Sequence, residues 1–455
     1  MSAGPALAPN TIEATTIRKV RARIIPFVFV LFVIAFIDRI NIGFAALTMN
    51  KALAITSEQF GLLSGIFFFG YFLFEIPSNL LLHKLGARIW IARILVSWGI
   101  VAILTGLATK ATQLYFLRFL LGVAEAGYFP GIVLYLTYWF RQRQLAHALA
   151  IFLAAVPVAN IVGAPASGLI LDHIHWFGFA SWRWLLILEG VPALLGGCLT
   201  WFLLPDRPSD AKFLTREEKN WLTREVAREE QHKLARSRVS VVQSLGDRRV
   251  WHLAAILFPA NIGFYAITFW MPQLIQAASS QTSNTTVGML VMVPYFVALV
   301  AMIFVGRSSD KRFERRYHAS IPLIIGGVSF LLLATISGTS TFLTVALWCV
   351  LASCIESAWS PIWSLPNEFL AGFSAAAGIA LINSMGSIGG FVGPYALGEI
   401  NKRTGSFRGG LVFAGVSLFI SAMLILALRK RTVPETSAVA TVQPSVSAIP
   451  NADVE

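Results

Sequence analysis

Apolar runs of about twenty residues follow one another from Ile24 to Leu428, broken by short polar stretches. At ~1.5 Å of rise per residue, each run is long enough as a helix to cross a ~30 Å hydrocarbon core. Twelve can be drawn, at 24–46, 57–82, 89–108, 113–138, 145–170, 182–204, 251–277, 285–305, 319–337, 341–366, 374–400 and 407–428. The one long polar interruption, about 205–250, divides them six and six. The pattern predicts an all-α polytopic membrane protein built from two six-helix bundles, 24–204 and 251–428. A cytoplasmic amino-terminal segment (1–23), a cytoplasmic linker (205–250) and a disordered cytoplasmic tail (429–455) complete it. Within the linker, Thr215 and Glu218 have capping-box spacing ahead of a charged helical stretch.

Composition supports a bilayer as the solvent. The 455 residues are 56% hydrophobic and 13% charged, with a mean hydropathy of +0.69, whereas soluble domains run near ~25% charged. The net charge of +13 raises nucleic acid as a partner, but the basic residues sit in short loops between spans rather than on one face. They read better as a topology signal. With the amino terminus inside, inside segments carry 28 Lys and Arg against 6 outside, which puts both termini and the linker in the cytoplasm of an inner (plasma) membrane protein. Two loops oppose the trend: 367–373 has no basic residue and 401–408 has Lys402, Arg403 and Arg408. The apolar run after Arg23 is too long for a cleaved signal core and stays as the first span. Cys198, Cys349 and Cys354 lie in apolar runs without metal-ligand spacing, and no metal site is expected.

The halves repeat each other. Asn79-Leu-Leu-Leu-His83-Lys84-Leu-Gly86-Ala-Arg88 after the second span corresponds to Gly306-Arg-Ser-Ser-Asp310-Lys311-Arg312 after the eighth. Ile161-Val-Gly163-Ala-Pro165-Ala-Ser-Gly168 in the fifth span likewise corresponds to Phe391-Val-Gly393-Pro394-Tyr-Ala-Leu-Gly398 in the eleventh. Such symmetry predicts two bundles related by an axis along the membrane normal, with a cavity between them at mid-membrane.

Seven charges lie well inside the spans: Asp38, Arg39, Glu75, Arg118, Glu125, Glu189 and Glu356. Each costs ~2.5–3.5 kcal/mol on insertion scales, so each calls for a partner, a proton or a water-filled cavity. Five acids against two arginines leave an excess of negative charge, so some acids are expected to hold a proton for part of a working cycle. Arg118 and Glu125, seven residues apart, share a helix face, and Arg118 is expected to tune Glu125. Asp38 and Arg39 are adjacent and point about 100° apart, which frees Arg39 to face a cavity while Asp38 reaches a neighbouring helix. Structural salt bridging is the alternative for both pairs. Glu75, Glu189 and Glu356 have no arginine two turns away and read as mainly structural.

Ile37-Asp38-Arg39-Ile40-Asn41-Ile42-Gly43-Phe44-Ala45, Glu75-Ile76-Pro77-Ser78-Asn79, Arg118-Phe-Leu-Leu-Gly122-Val-Ala-Glu125-Ala-Gly127-Tyr-Phe-Pro130-Gly131 and Asn383-Ser384 together resemble the major facilitator superfamily. Within it they resemble the tartrate, phthalate and hydroxyphenylacetate permease-like branch of the anion:cation symporter family. The resemblance implies the major facilitator fold and import of a small organic anion (a dicarboxylate such as tartrate, a sugar acid or an aromatic carboxylate), usually with protons, sodium being the alternative. It implies proton sites at Asp38 and Glu125, an anion contact at Arg39, support from Arg118 and Asn41, and gating loops at Lys84, Gly86, Arg88, Gly306, Asp310 and Lys311. Tyr71 matches a cavity-lining tyrosine of related carriers, with lipid-facing packing the alternative. Asn383 and Ser384 could bond substrate hydroxyls or a second carboxylate, with interhelical bonding the alternative. The chain departs from the superfamily at His83, where the loop motif normally has an acid. The lipid bilayer and the anion are the expected partners of a functional monomer without cofactor. An anion exchanger of the organophosphate type is the rival transport reading, and titrating acids argue against it. A membrane sensor would need an output domain, and an enzyme a nucleophile, metal or phosphate-loop motif, neither of which the sequence contains.

Overall fold

A computed structural model describes residues 9–236, 246–279, 282–312, 314–336, 340–368 and 373–428. The expected tail 429–455, the first eight residues, part of the linker and the side chain of His83 lie outside them. Fifteen α-helices follow in order: α1 (Pro9–Ala52), α2 (Ser57–Leu85), α3 (Ala87–Gly106), α4 (Ala111–Glu125), α5 (Tyr128–Thr137), α6 (Gln142–Leu153), α7 (Ala155–His173), α8 (Ser181–Leu203), α9 (Arg216–Arg236), α10 (Arg248–Ala278), α11 (Asn284–Arg312), α12 (Arg316–Ile336), α13 (Thr341–Ser364), α14 (Phe373–Thr404) and α15 (Arg408–Leu426). There are no strands among the described residues.

These helices make twelve spans, because α4 with α5 and α6 with α7 each form one broken span. Eleven are long and apolar enough to cross a membrane by length and composition. The twelfth, α14, has 32 residues but is diluted by Gly, Ser and Asn. The break in the fourth span follows from its sequence. Gly127 has φ +82°, where a side chain would be strained, and a Cβ there would stand 2.7 Å from the Ser78 Cβ. Gly122, one turn earlier, lets α4 lie directly on α2: a Cβ would come within 2.9 Å of the Tyr71 backbone nitrogen.

The repeated motifs sit at equivalent interfaces. In the fifth span α7 packs on α11, and in the eleventh α14 packs on α2. At the end of the molecule away from α9 these contacts close the halves against each other. Asp172 at the end of α7 accepts hydrogen bonds from the Asn284 amide nitrogen (3.2 Å) and Nδ2 (2.7 Å), and from the Thr285 amide nitrogen and Oγ1 (2.7 Å each). It thus caps a helix belonging to the other half, at an end whose first N–H groups have no intrahelical acceptor. Ser57 donates to Asn401 at 2.6 Å, and Lys402 pairs with Glu58.

Toward α9 the expected gating residues pair within their own half. Gly86, at φ +89°, admits Asp206, which accepts from the Arg88 amide at 2.7 Å and lies 3.5 Å from Arg88 Nε. Asp310 pairs with Arg315 at 2.6 Å, a Cβ at Gly306 would stand 3.6 Å from the Ser360 hydroxyl, and Lys84 and Lys311 are exposed. The linker helix α9 begins with the capping box: Glu218 N donates to Thr215 Oγ1 (3.3 Å) and Thr215 N to Glu218 Oε2 (2.8 Å). Lys19 of α1 ties it down at 2.8 Å from Glu218.

Candidate functional site

A cavity of about 100 Å³ lies between the halves, lined from one side by α1, α2 and α5 and from the other by α10, α13 and α14. Its wall is mostly aromatic, and its polar groups are few: Arg39, Tyr71, Asn261, Tyr265, Glu356 and Asn383 among them. Such a surface strengthens charge interactions by excluding water and leaves orientation to a small number of side chains.

Arg39 is the cationic pole. Its guanidinium forms an ion pair with Glu125 of α4 and lies 3.4 Å from the Tyr265 hydroxyl of α10. The rings of Phe36, Phe67 and Tyr71 surround it at 5.0, 5.2 and 5.8 Å, a cation–π enclosure that holds the fork without using its hydrogen bonds. Arg39 Nε has no hydrogen-bond partner among the described residues.

Asp38 turns away from the cavity into the N-terminal half. It is buried, accepts from Asn41 Nδ2 at 2.8 Å, and accepts from the indole nitrogen of Trp98 on α3. Arg118 lies within electrostatic reach of it, with Nε and Nη2 unbonded. The expected coupling of Arg118 to Glu125 is therefore replaced by a crossed arrangement, Arg118 beside Asp38 and Arg39 on Glu125. The reason is distance: seven residues separate Arg118 and Glu125 by ~10 Å along the helix axis, beyond an ion pair. Glu189 completes this polar core and accepts from Ser167 at 2.7 Å.

Asn383 lines the cavity, and its side-chain amide nitrogen and the Ser384 hydroxyl are both engaged across the halves. Asn383 Nδ2 and Ser384 Oγ donate to the two oxygens of Glu75, at 2.6 and 2.7 Å, and so bind α14 to α2 across the halves. Tyr71 is buried beside Arg39 and lines the cavity. Sequence reasoning passed over Trp98, Asn261 and Tyr265. Trp98 had a signal, since a tryptophan inside an aliphatic run needs an acceptor for its N–H. Tyr265 and Asn261 had none, for nothing local marks which face of α10 meets the cavity. No group of three or more potential metal ligands occurs among the described residues.

Twelve spans in two pseudo-equivalent halves around a central, sparsely charged cavity are the architecture of a membrane transporter. The sequence model of the Major Facilitator Superfamily matches residues 28–394 and again 274–450, and the chain belongs to that superfamily. Two proteins of Agrobacterium vitis, each named "Putative tartrate transporter", are 46% and 45% identical to it over 92% and 94% of this chain and 93% and 97% of their own. Among solved structures, the Escherichia coli xylose transporter XylE in a partially occluded inward-open conformation superposes with a TM-score of 0.72, at 13% identity, over 93% of this chain and 99% of that one. The fold is thus a transporter's, and the chain is a multi-pass membrane protein rather than an enzyme.

Proposed function

We propose that this protein imports a small organic anion by proton symport with alternating access, from a position in the inner membrane with both termini and the linker in the cytoplasm. The single observation that carries the reading is the Arg39–Glu125 ion pair, whose arginine lines the cavity. A substrate carboxylate matches the planar guanidinium fork with two parallel hydrogen bonds, but must displace Glu125 to take them. Once displaced, Glu125 is a buried carboxylate without its cation, and a proton is the economical replacement. Anion and proton are then loaded through one site, and linkage requires each to favour the other equally.

Asp38 is the second proton site in this reading. It is insulated from substrate, lies in the field of Arg118, and shares Asn41 with Glu189, so its protonation is felt where α1 meets α3 and α8. The closed end at Asp172 would be the extracytoplasmic gate, and the cavity would then communicate with the cytoplasm. Tartrate, sugar acids and aromatic carboxylates are the first candidates, the relatives' names favouring the first. The test is uptake of labelled members of these classes into proteoliposomes under an imposed pH gradient. Uphill accumulation that collapses with a protonophore supports symport. Uptake that follows a sodium gradient, or proceeds only against an internal anion, overturns it.

A further inference from the structure

Glu356 of α13 lies on the same cavity as Arg39 but on the opposite half, and among the buried acids of the described spans it alone makes no hydrogen bond or ion pair. Glu125 has Arg39, Asp38 has Asn41 and Trp98, Glu75 has Asn383 and Ser384, and Glu189 has Ser167. Glu356 is 2% exposed, and its Oε1 has no hydrogen-bond partner. A buried acceptor left unmade carries the full desolvation cost of the group, which a protein tolerates where a ligand completes the bond. Between the two poles stands Tyr265, whose hydroxyl is 3.4 Å from Arg39 Nη1 and lies in the field of Glu356.

We infer that Glu356 is a specificity residue that reads a hydroxyl on the substrate, so that the carrier selects hydroxylated carboxylates over their deoxy counterparts. The inference deepens the organic-anion reading above and rests on it. With a carboxylate on Arg39, the carbon chain of a small substrate extends toward Glu356. A hydroxyl on that chain can donate to the Glu356 carboxyl whether it is ionised or protonated, whereas a bare methylene there leaves the carboxyl unpaired. Discrimination of this kind is large because a site built around a buried polar atom penalises the ligand lacking its partner.

The experiment measures dissociation constants by intrinsic tryptophan fluorescence of the full-length protein, Trp359 and Trp363 lining the cavity. The matched probes are tartrate and succinate, and 4-hydroxyphenylacetate and phenylacetate. Wild type should bind the hydroxylated member of at least one pair about tenfold more tightly or better. Glu356→Met, similar in volume but without an acceptor, should bring that ratio to within about twofold by weakening the hydroxylated member. The same variant should melt no lower than wild type, since the carboxylate it removes bonds to nothing at Oε1; a structural role for Glu356 requires a lower melting temperature. Equal binding within both pairs by wild type, or an unchanged ratio in the variant, overturns the inference while leaving the organic-anion reading intact. Failure of all four compounds to bind wild type overturns both together.

Discussion

The guanidinium of Arg39 and the carboxylate of Glu125 meet as an ion pair although 86 positions separate them in the chain. The arginine of that pair lines the cavity between the halves, with the Phe36 and Phe67 rings beside it, and Glu125 is buried behind. A ligand entering the cavity meets the arginine already engaged. Binding is thus a competition between two carboxylates for one fork, and the displaced one belongs to the protein. We predict that Arg39→Lys, which keeps the charge but loses the planar fork, weakens carboxylate binding by about tenfold or more. Equal affinities in titrations of wild type and variant would rule out the fork.

Asp172 caps α11 from the opposite half through four hydrogen bonds. Hydrogen bonds to a charged group contribute ~1.5–3 kcal/mol each at most, enough together to set a two-state gate. Asp172→Ala should therefore populate a form open at that end. Spin labels at Lys51 and Arg403, both exposed there, on a cysteine-free background should show a new, longer distance in the variant. A distribution identical to that of the parent would sink the latch.

Glu75 separates a structural from a binding role for α14. Glu75→Ala leaves the Asn383 amide and the Ser384 hydroxyl without their acceptor, at about 1–3 kcal/mol per stranded group, and should lower the melting temperature clearly. Ser384→Ala, which removes one donor, should lower it less and leave substrate affinity unchanged. A selective loss of affinity in Ser384→Ala, without loss of stability, would return Ser384 to the substrate site.

The spans were legible in the sequence because a bilayer demands runs of a fixed length. The exception is α14, the span that composition marks least clearly, which lies between the two loops that depart from the topology rule. The capping box at Thr215 and Glu218 was legible too, being a local pattern. The charged site residues stood out as charges in apolar runs, but their partners did not. Which arginine meets which acid depends on how α1, α3 and α4 come together in space, which no local pattern in the chain announces. For Asn383 and Ser384 a substrate role and interhelical bonding both stood open for the same reason: nothing near them in the chain names Glu75 as an acceptor.

The linker supplies a pH-dependent prediction. Burial alone would push the Glu218 carboxyl up, but the Lys19 and Thr215 hydrogen bonds outweigh it and hold the group below its usual value of 4.5. A depressed folded value means that the tie is fully present above about pH 4.5 and is lost as pH falls through the folded value. Glu218→Gln should melt below wild type at pH 7, and the gap should close as the buffer is taken below that point. A gap independent of pH would mean that the charge of Glu218 contributes nothing.

The coupling claim is tested most directly by Glu125→Gln, which imitates the protonated acid and frees Arg39. Substrate affinity should be measured from pH 5 to pH 8 in wild type and variant, alongside uptake driven by a proton gradient. Wild type should bind more tightly as pH falls. The variant should bind tightly at every pH and exchange internal for external substrate, yet fail to accumulate it against a gradient. Gradient-driven accumulation in Glu125→Gln, with the affinity of wild type still following pH, would contradict the account and make the Arg39–Glu125 pair a structural one.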